Sequence, residues 1–241
     1  MGRVLQSQGD FTGALAVSTE SLTVMSQLKD SSGMARSMVA LSELYMEKRH
    51  YDQAATFGDE ALTIFNETHD VDRSLRCLLI LSRISLHRKK HDEAMRTLKK
   101  ARARAKETDN HPLHIDIEII SSEVARSRKD LATSRRHLNA AMKIAVANNV
   151  ATSQADIAGA LSQLAEATGD LQSALKFERL RATSQRIADD QLRARHGQAL
   201  QLRLDVERAQ RAREAAQHQN EHLAFTLESK ERELNTSAIA I

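Results

Sequence analysis

The stretch GDFTGAL, residues 9–15, returns 160 residues later as GDLQSAL, residues 169–175. Related segments lie between them: HYDQAAT begins at residue 50, KHDEAMR at residue 90 and KDLATSR at residue 129. The small residues of these segments form one column with a step of 40 residues: Ala14, Ala54, Ala94, Ser134 and Ala174. A constant step of this length predicts a repeat architecture, in which each repeat is one supersecondary unit stacked on its neighbours.

Further columns keep the same step of 40 residues. One is mostly leucine and the next is entirely serine, and they read Leu41, Leu81, Ser121, Leu161 and Ser42, Ser82, Ser122, Ser162. A third column is small until its last member and reads Ser21, Ala61, Ala101, Ala141, Arg181. Antiparallel helices approach closely where side chains are short, so these columns mark helix crossings. We therefore expect five repeats at about 1–30, 31–70, 71–110, 111–150 and 151–190.

The composition favours helices over strands. The chain has 241 residues, 41% of them hydrophobic, with no Trp, one Pro and eight Gly. Ala, Leu, Arg, Glu, Gln and Lys dominate, and these are the strong helix formers. The sequence predicts an all-α protein in which each repeat is a hairpin of two helices. Helix A falls at about 34–48, 72–88, 112–127 and 152–167, and helix B at about 52–67, 92–107, 131–147 and 171–187.

Charge, hydropathy and cysteine content indicate the cellular setting. The formal net charge is +3, which is nearly neutral for this length. No apolar run approaches the ~20 residues that a membrane-spanning helix requires. The single cysteine, Cys77, excludes an internal disulfide and is expected to be a small buried hydrophobe. We expect a cytoplasmic protein without a membrane anchor.

Over about residues 3–188 the sequence resembles the tetratricopeptide repeat. The matching positions on helix A and helix B are Met38, Leu41, Ser42, Tyr45, Tyr51, Ala54 and Ala61. The resemblance implies a right-handed superhelical solenoid of antiparallel helix hairpins that binds a protein or peptide in its concave groove. The period of 40 residues exceeds the family's usual 34 and is similar to that of bacterial sensor and regulator proteins. Because only half of a helix A precedes the first turn, we expect a fragment of a longer array.

The resemblance also implies which side chains line the groove. They lie on helix A on either side of the leucine and serine columns. The candidates are Arg36, Val39, Glu43, Met46, Arg76, Leu79, Arg83, Leu86, Asp116, Ile119, Glu123, Arg126, Asp156 and Gln163, with Gly159 completing one column. Apolar anchors between charges of both signs suit a short peptide or a partner helix. The alternative is that the charges pair between repeats, Arg83 with Glu43 or Glu123.

Residues 191–235 no longer follow the 40-residue repeat. They contain no Pro and one Gly, and apolar residues recur with heptad spacing, which predicts a long coiled-coil-like helix that makes a homodimer or connects to an output module. The seam candidates are Leu192, Ala199, Leu202, Val206, Ala209, Ala216, Asn220, Leu223, Leu227 and Leu234. Asn220 would then be a buried amide that fixes the register. The alternative is a single helix folded back on the last repeat.

Two patterns could carry other functions. His218, Glu221 and His222 have the spacing of an inverted zinc-peptidase motif, although no third protein ligand is specified. The segment 88–106 carries nine Lys or Arg and could meet phosphates, but it lacks aromatic residues for stacking bases. The resemblance implies a non-enzymatic protein- or peptide-binding module, without cofactor or metal, as the sensory or scaffolding part of a bacterial regulator. Zinc-dependent hydrolysis and nucleic-acid binding are the alternatives.

Overall fold

The computed structural model describes the backbone of residues 10–239, and the side chains of residues 10–213, 216, 217 and 220. Within these residues all regular structure is helical. The helices are α1 Phe11–Gln27, α2 Ser31–Glu47, α3 Tyr51–Glu67, α4 Val71–His87, α5 His91–Arg104, α6 His111–Ser127, α7 Leu131–Ala147, α8 Ala151–Ala167 and α9 Leu171–Ile239. Helix A of the second to fifth repeats is α2, α4, α6 and α8, and each is followed by its helix B. The predicted all-α solenoid of helix hairpins is confirmed.

The turns repeat every 20 residues. Six helices are followed by a non-glycine residue with positive φ and one by Gly169, which gives the series Lys29, Arg49, His69, Lys89, Lys129, Asn149 and Gly169. At the first turn the Asp30 amide donates to the Met25 carbonyl at 3.0 Å, and the Lys29 amide donates to the Ser26 carbonyl at 3.1 Å. These are the two hydrogen bonds of the Schellman motif, which satisfies carbonyls at a helix end. The turn after α5 differs, because a 3₁₀ segment, Ala105–Glu107, precedes α6.

The small-residue column lies inside the hairpins. Ala54 and Ala94 are 0% exposed, Ser134 is 1% exposed and Ala174 is 4% exposed, which confirms the predicted crossing points. Larger side chains from successive hairpins complete three core clusters, including Phe65, Leu98 and Leu138 among their members. Cys77 is fully buried in one of them, as expected. Burial raises the pKa of its thiol to about 12, so the thiolate needed for reactivity is suppressed.

The chain divides into two compact units, residues 1–185 and 186–241. The sequence pattern placed the domain boundary at residue 190, and that assignment stays a prediction. Helix α9 continues without a break from Leu171 to Ile239, so the predicted end of helix B near residue 187 is wrong. Asp189 and Asp190 stand where earlier repeats have a turn, but both lie inside α9. In the described part, no helix combines the length and the apolar character that crossing a membrane requires.

Candidate functional site

The predicted groove residues lie on one face of α2, α4, α6 and α8, here called the helix A face. Two cavities open on this face. The first cavity, of about 320 Å³, lies among α2, α4 and α6, and the predicted residues that line it are Glu43, Met46, Arg76, Leu79, Arg83 and Asp116. The second cavity, of about 420 Å³, lies among α6, α7, α8 and the start of α9, and the predicted residues that line it are Ile119, Glu123, Arg126, Asp156 and Gln163. The structure thus brings eleven candidates together in two groups.

Two of the apolar anchors predicted between the charges, Val39 and Leu79, present little surface. Val39 is 8% exposed and Leu79 is 5% exposed, because both side chains belong to core clusters. Val39 and Leu86 lie outside both cavities, as does Arg36, which lies 3.8 Å from Asp30. Met46 and Ile119 are half-buried. Of the predicted apolar anchors, one half-buried side chain therefore lines each cavity, Met46 the first and Ile119 the second.

Charges in the first cavity are already engaged with one another. Arg76 Nη2 donates to Glu43 Oε1 at 2.9 Å, which joins α4 to α2. The pairing between repeats that the sequence suggested therefore exists, but the partner of Glu43 is Arg76 and not Arg83. Burial raises the pKa of Asp116, and the nearby guanidinium groups of Arg83 and Arg76 partly oppose that rise. This cavity offers a half-buried carboxyl group beside two arginines.

Charges in the second cavity are not neutralised in this way. Among the described residues, no ion pair within 4.0 Å involves Glu123, Arg126 or Asp156. Arg126 and Asp156 are exposed, and Glu123 is half-buried. The cavity is also lined by Arg181 from α9, which the column-by-column prediction missed. Its only sequence signal was the break that Arg181 makes in a column of small residues.

A second polar cluster joins α5, α6 and α7 outside the two cavities. Glu118 receives hydrogen bonds from Arg102 Nη2 at 2.8 Å and from His137 Nδ1 at 2.6 Å. Burial alone would raise the pKa of Glu118, but the hydrogen bond from His137 and the Arg102 guanidinium outweigh it, so the pKa lies below its ordinary value. The cluster therefore holds Glu118 in its charged form and ties the third repeat to the fourth.

We expect Glu118→Gln to remove part of the pH dependence of stability. A carboxylate whose folded-state pKa is lowered stabilises the fold above its unfolded pKa and loses that contribution as the pH falls through the folded pKa. The difference in free energy of unfolding between the wild type and Glu118→Gln should therefore be largest at neutral pH and shrink as the pH falls below 4.5, the ordinary value. Urea unfolding at several pH values measures it. Glu60→Gln, at an exposed position in α3, is the control and should show no such convergence.

Arginine and lysine residues of segment 88–106 are partly engaged within the protein. Arg88 pairs with Asp52, Lys90 Nζ lies 3.4 Å from Glu93, and Arg102 pairs with Glu118. Arg104 Nη1 donates to Asn66 Oδ1 at 2.8 Å. These side chains would have to leave their present partners before they could bind the phosphate groups of a nucleic acid.

The remaining candidates lie in α9. Of the predicted seam, Leu192, Leu202 and Val206 are 52%, 67% and 49% exposed. Ala199, Ala209, Ala216 and Asn220 are also exposed. The side chains of Leu223, Leu227 and Leu234 lie outside the described residues, as do those of the zinc candidates His218, Glu221 and His222. Among the described side chains no three His, Cys, Asp or Glu are grouped as metal ligands.

Comparison with known proteins agrees with this architecture. A tetratricopeptide repeat family model matches residues 1–67. No curated protein sequence matches the chain significantly.

Several solved structures share the fold at low sequence identity. One is a Rap protein complexed with competence and sporulation factor, with 15% identity, a TM-score of 0.69 and coverage of 76% of this chain and 51% of that chain. Another is aspartyl phosphate phosphatase F from Bacillus subtilis, with 17% identity, a TM-score of 0.69 and coverage of 78% and 50%. A third is a plasmid Rap conjugation gene regulator in complex with a Phr peptide, with 14% identity, a TM-score of 0.69 and coverage of 78% and 52%.

The chain therefore spans about half the length of each of these three proteins. At such identities the likeness concerns the fold. The 40-residue columns, the hairpins built on them and the family match all point to one conclusion. Residues 1–67 match the tetratricopeptide repeat family in sequence, and the described repeat unit shares the helix-hairpin fold of these solved structures.

Proposed function

We propose that the repeat unit is a non-enzymatic module that binds a peptide or an extended protein segment on the helix A face. The observation that carries the proposal is the pair of cavities, because eleven residues that the family resemblance assigned to the groove line them. A ligand lying along this face would meet a half-buried apolar side chain in each cavity, Met46 in the first and Ile119 in the second. Arginines and carboxylates beside these anchors would give the ligand one preferred direction.

The likeness to solved structures supports a peptide as the ligand class. One structure with this fold is a complex with a Phr peptide. In helical-repeat proteins, successive repeats create extended binding surfaces. The second cavity is the better anchor site, because Glu123, Arg126 and Asp156 form no ion pair with another described residue that a ligand would first have to break.

The proposal extends to the setting of the module. It would be the sensory or scaffolding part of a cytoplasmic bacterial regulator, with α9 making a homodimer or passing the signal to an output domain. The support is the row of exposed apolar residues on α9, including Leu192, Leu202 and Val206, since exposed apolar side chains at heptad spacing suit a partner helix.

Selection from a random peptide library tests the binding function. We expect the wild-type protein to enrich peptides, and we expect Arg83→Glu in the first cavity and Arg126→Glu in the second to weaken the binding of an enriched peptide about tenfold or more. Loss of a charge-assisted hydrogen bond costs about 1.5–3 kcal/mol. Fluorescence anisotropy with the labelled peptide measures the change.

The matched control is Arg96→Glu, an exposed position of α5 that lines neither cavity. It should leave peptide binding unchanged. The proposal is wrong if no peptide is enriched, or if both cavity variants bind as tightly as the control.

A further inference from the structure

In the last repeat, the side chains of two columns change size in opposite directions. The column on helix A is large and apolar in three repeats and then glycine, reading Val39, Leu79, Ile119, Gly159. The column on helix B is small in four repeats and then arginine, reading Ser21, Ala61, Ala101, Ala141, Arg181. Both changes fall in the same repeat, so a side chain is lost from one helix where a longer one is gained on its neighbour.

The two columns are neighbours in space. In the earlier repeats their members share core clusters: Val39 with Ala61, and Leu79 with Ala101. In the last repeat a methyl group built on Gly159 would lie 3.2 Å from Cδ of Arg181 and 3.8 Å from its Nη1. The aliphatic stem of Arg181 therefore runs over the bare backbone of Gly159, in the place that an apolar side chain fills in earlier repeats.

Filling that space does not require a charge. A leucine or methionine at position 181 would pack there, whereas arginine also brings a guanidinium group to the wall of the second cavity. The Arg181 side chain is 54% exposed, and its ion pair with Glu178 at 3.4 Å joins two exposed side chains on one helix. Such surface pairs contribute little, so the guanidinium is readily available to a ligand.

We infer that Arg181 is a specificity-determining residue that binds a carboxylate group of the ligand in the second cavity. The inference rests on the proposed peptide-binding function and names the chemistry of that same site. The planar guanidinium matches a carboxylate with two parallel hydrogen bonds. A phosphate would match it too, but Glu123 and Asp156 line the same cavity and would repel a dianion more than a carboxylate. The carboxylate comes from an acidic side chain or from the C-terminus of the peptide.

Four matched peptide libraries test this assignment with the full chain. Each carries either Glu or Gln at one fixed position, and ends either in a carboxylate or in an amide. We expect the wild type to prefer one carboxylate library over its neutral counterpart by about tenfold, as loss of a charge-assisted hydrogen bond implies. Which pair of libraries shows the preference identifies the source of the carboxylate.

Three variants assign the preference to the guanidinium. Arg181→Met keeps the stem that packs on Gly159 and should abolish the preference, while Arg181→Lys should keep part of it. Arg179→Met, at an exposed neighbouring position outside the cavity, should keep all of it. Circular dichroism melting curves show whether each variant is folded.

Each contrary outcome has a separate meaning. If the wild type binds peptides but does not distinguish carboxylate from amide, or if Arg181→Met keeps the preference, this inference is overturned and peptide binding stands. A fifth library carries phosphoserine at the fixed position, and tighter binding of that library than of the Glu library overturns the carboxylate assignment. If no library binds at all, the proposed function fails, and the role of Arg181 fails with it.

Discussion

Replacing Ala94 with Leu should lower the free energy of unfolding by about 1–3 kcal/mol, the range found when extra methylene groups are forced into a packed core. Ala94 is 0% exposed and belongs to a core cluster with Leu75 and Leu78 of α4. At this position a short side chain is what allows α4 and α5 to pack closely. A leucine has no free volume to occupy and must displace one of the two helices.

Ala103→Leu is the matched control, because Ala103 lies on the same helix but is exposed. That change should stay within about 0.5 kcal/mol, as surface substitutions usually do. Urea unfolding of both variants measures the difference. Equal stabilities for the two leucine variants would mean that the 40-residue columns do not mark the helix crossings.

Ala94→Leu should also weaken peptide binding. Helix α4 carries Arg76 and Arg83 of the first cavity, so a displacement of α4 against α5 moves those side chains relative to Asp116 on α6. The effect on affinity should exceed that of Ala103→Leu, which leaves α4 in place.

The helices were predictable because close packing fixes where small residues stand. The predicted and observed helices agree to within three residues at most ends. The predicted start of α2, at about 34, falls late, because α2 already begins at Ser31, directly after its cap, Asp30. The 3₁₀ segment Ala105–Glu107 left no signal, because the turn residues after it look polar like those of the other repeats.

The candidate site was predictable only as a face. Helix register decides which residues share the helix A face, but not how neighbouring side chains meet across repeats. Glu43 pairs with Arg76, which is 33 residues away, where the sequence suggested Arg83. A prediction made from the 40-residue columns also treats each helix separately, so it did not assign Arg181 to the groove. The Arg181 side chain reaches the second cavity over Gly159, which has no side chain of its own.

Assembly is the other large effect that we expect. The 241-residue chain should be a homodimer, because Leu192, Leu202 and Val206 are exposed on α9 with the heptad spacing of a coiled-coil seam. A chain ending at Asp190 should be a folded monomer, since the three core clusters are built from residues that precede the cut. Light scattering of the two proteins gives their masses, and circular dichroism shows whether the shorter one is folded.

Asn220→Leu separates a paired seam from a merely exposed one. In a two-stranded coil an interior asparagine fixes register and strand number at a cost in stability, so replacing it should raise the thermal stability of the dimer and loosen its choice of oligomer. Gln217→Leu, at an exposed position outside the predicted seam, should do neither. If the 241-residue chain stays monomeric at about 100 μM, well above a micromolar dissociation constant, the pairing is wrong. The exposed leucines of α9 would then have to be covered by another partner or by the chain itself, and Asn220→Leu would leave the mass in solution unchanged.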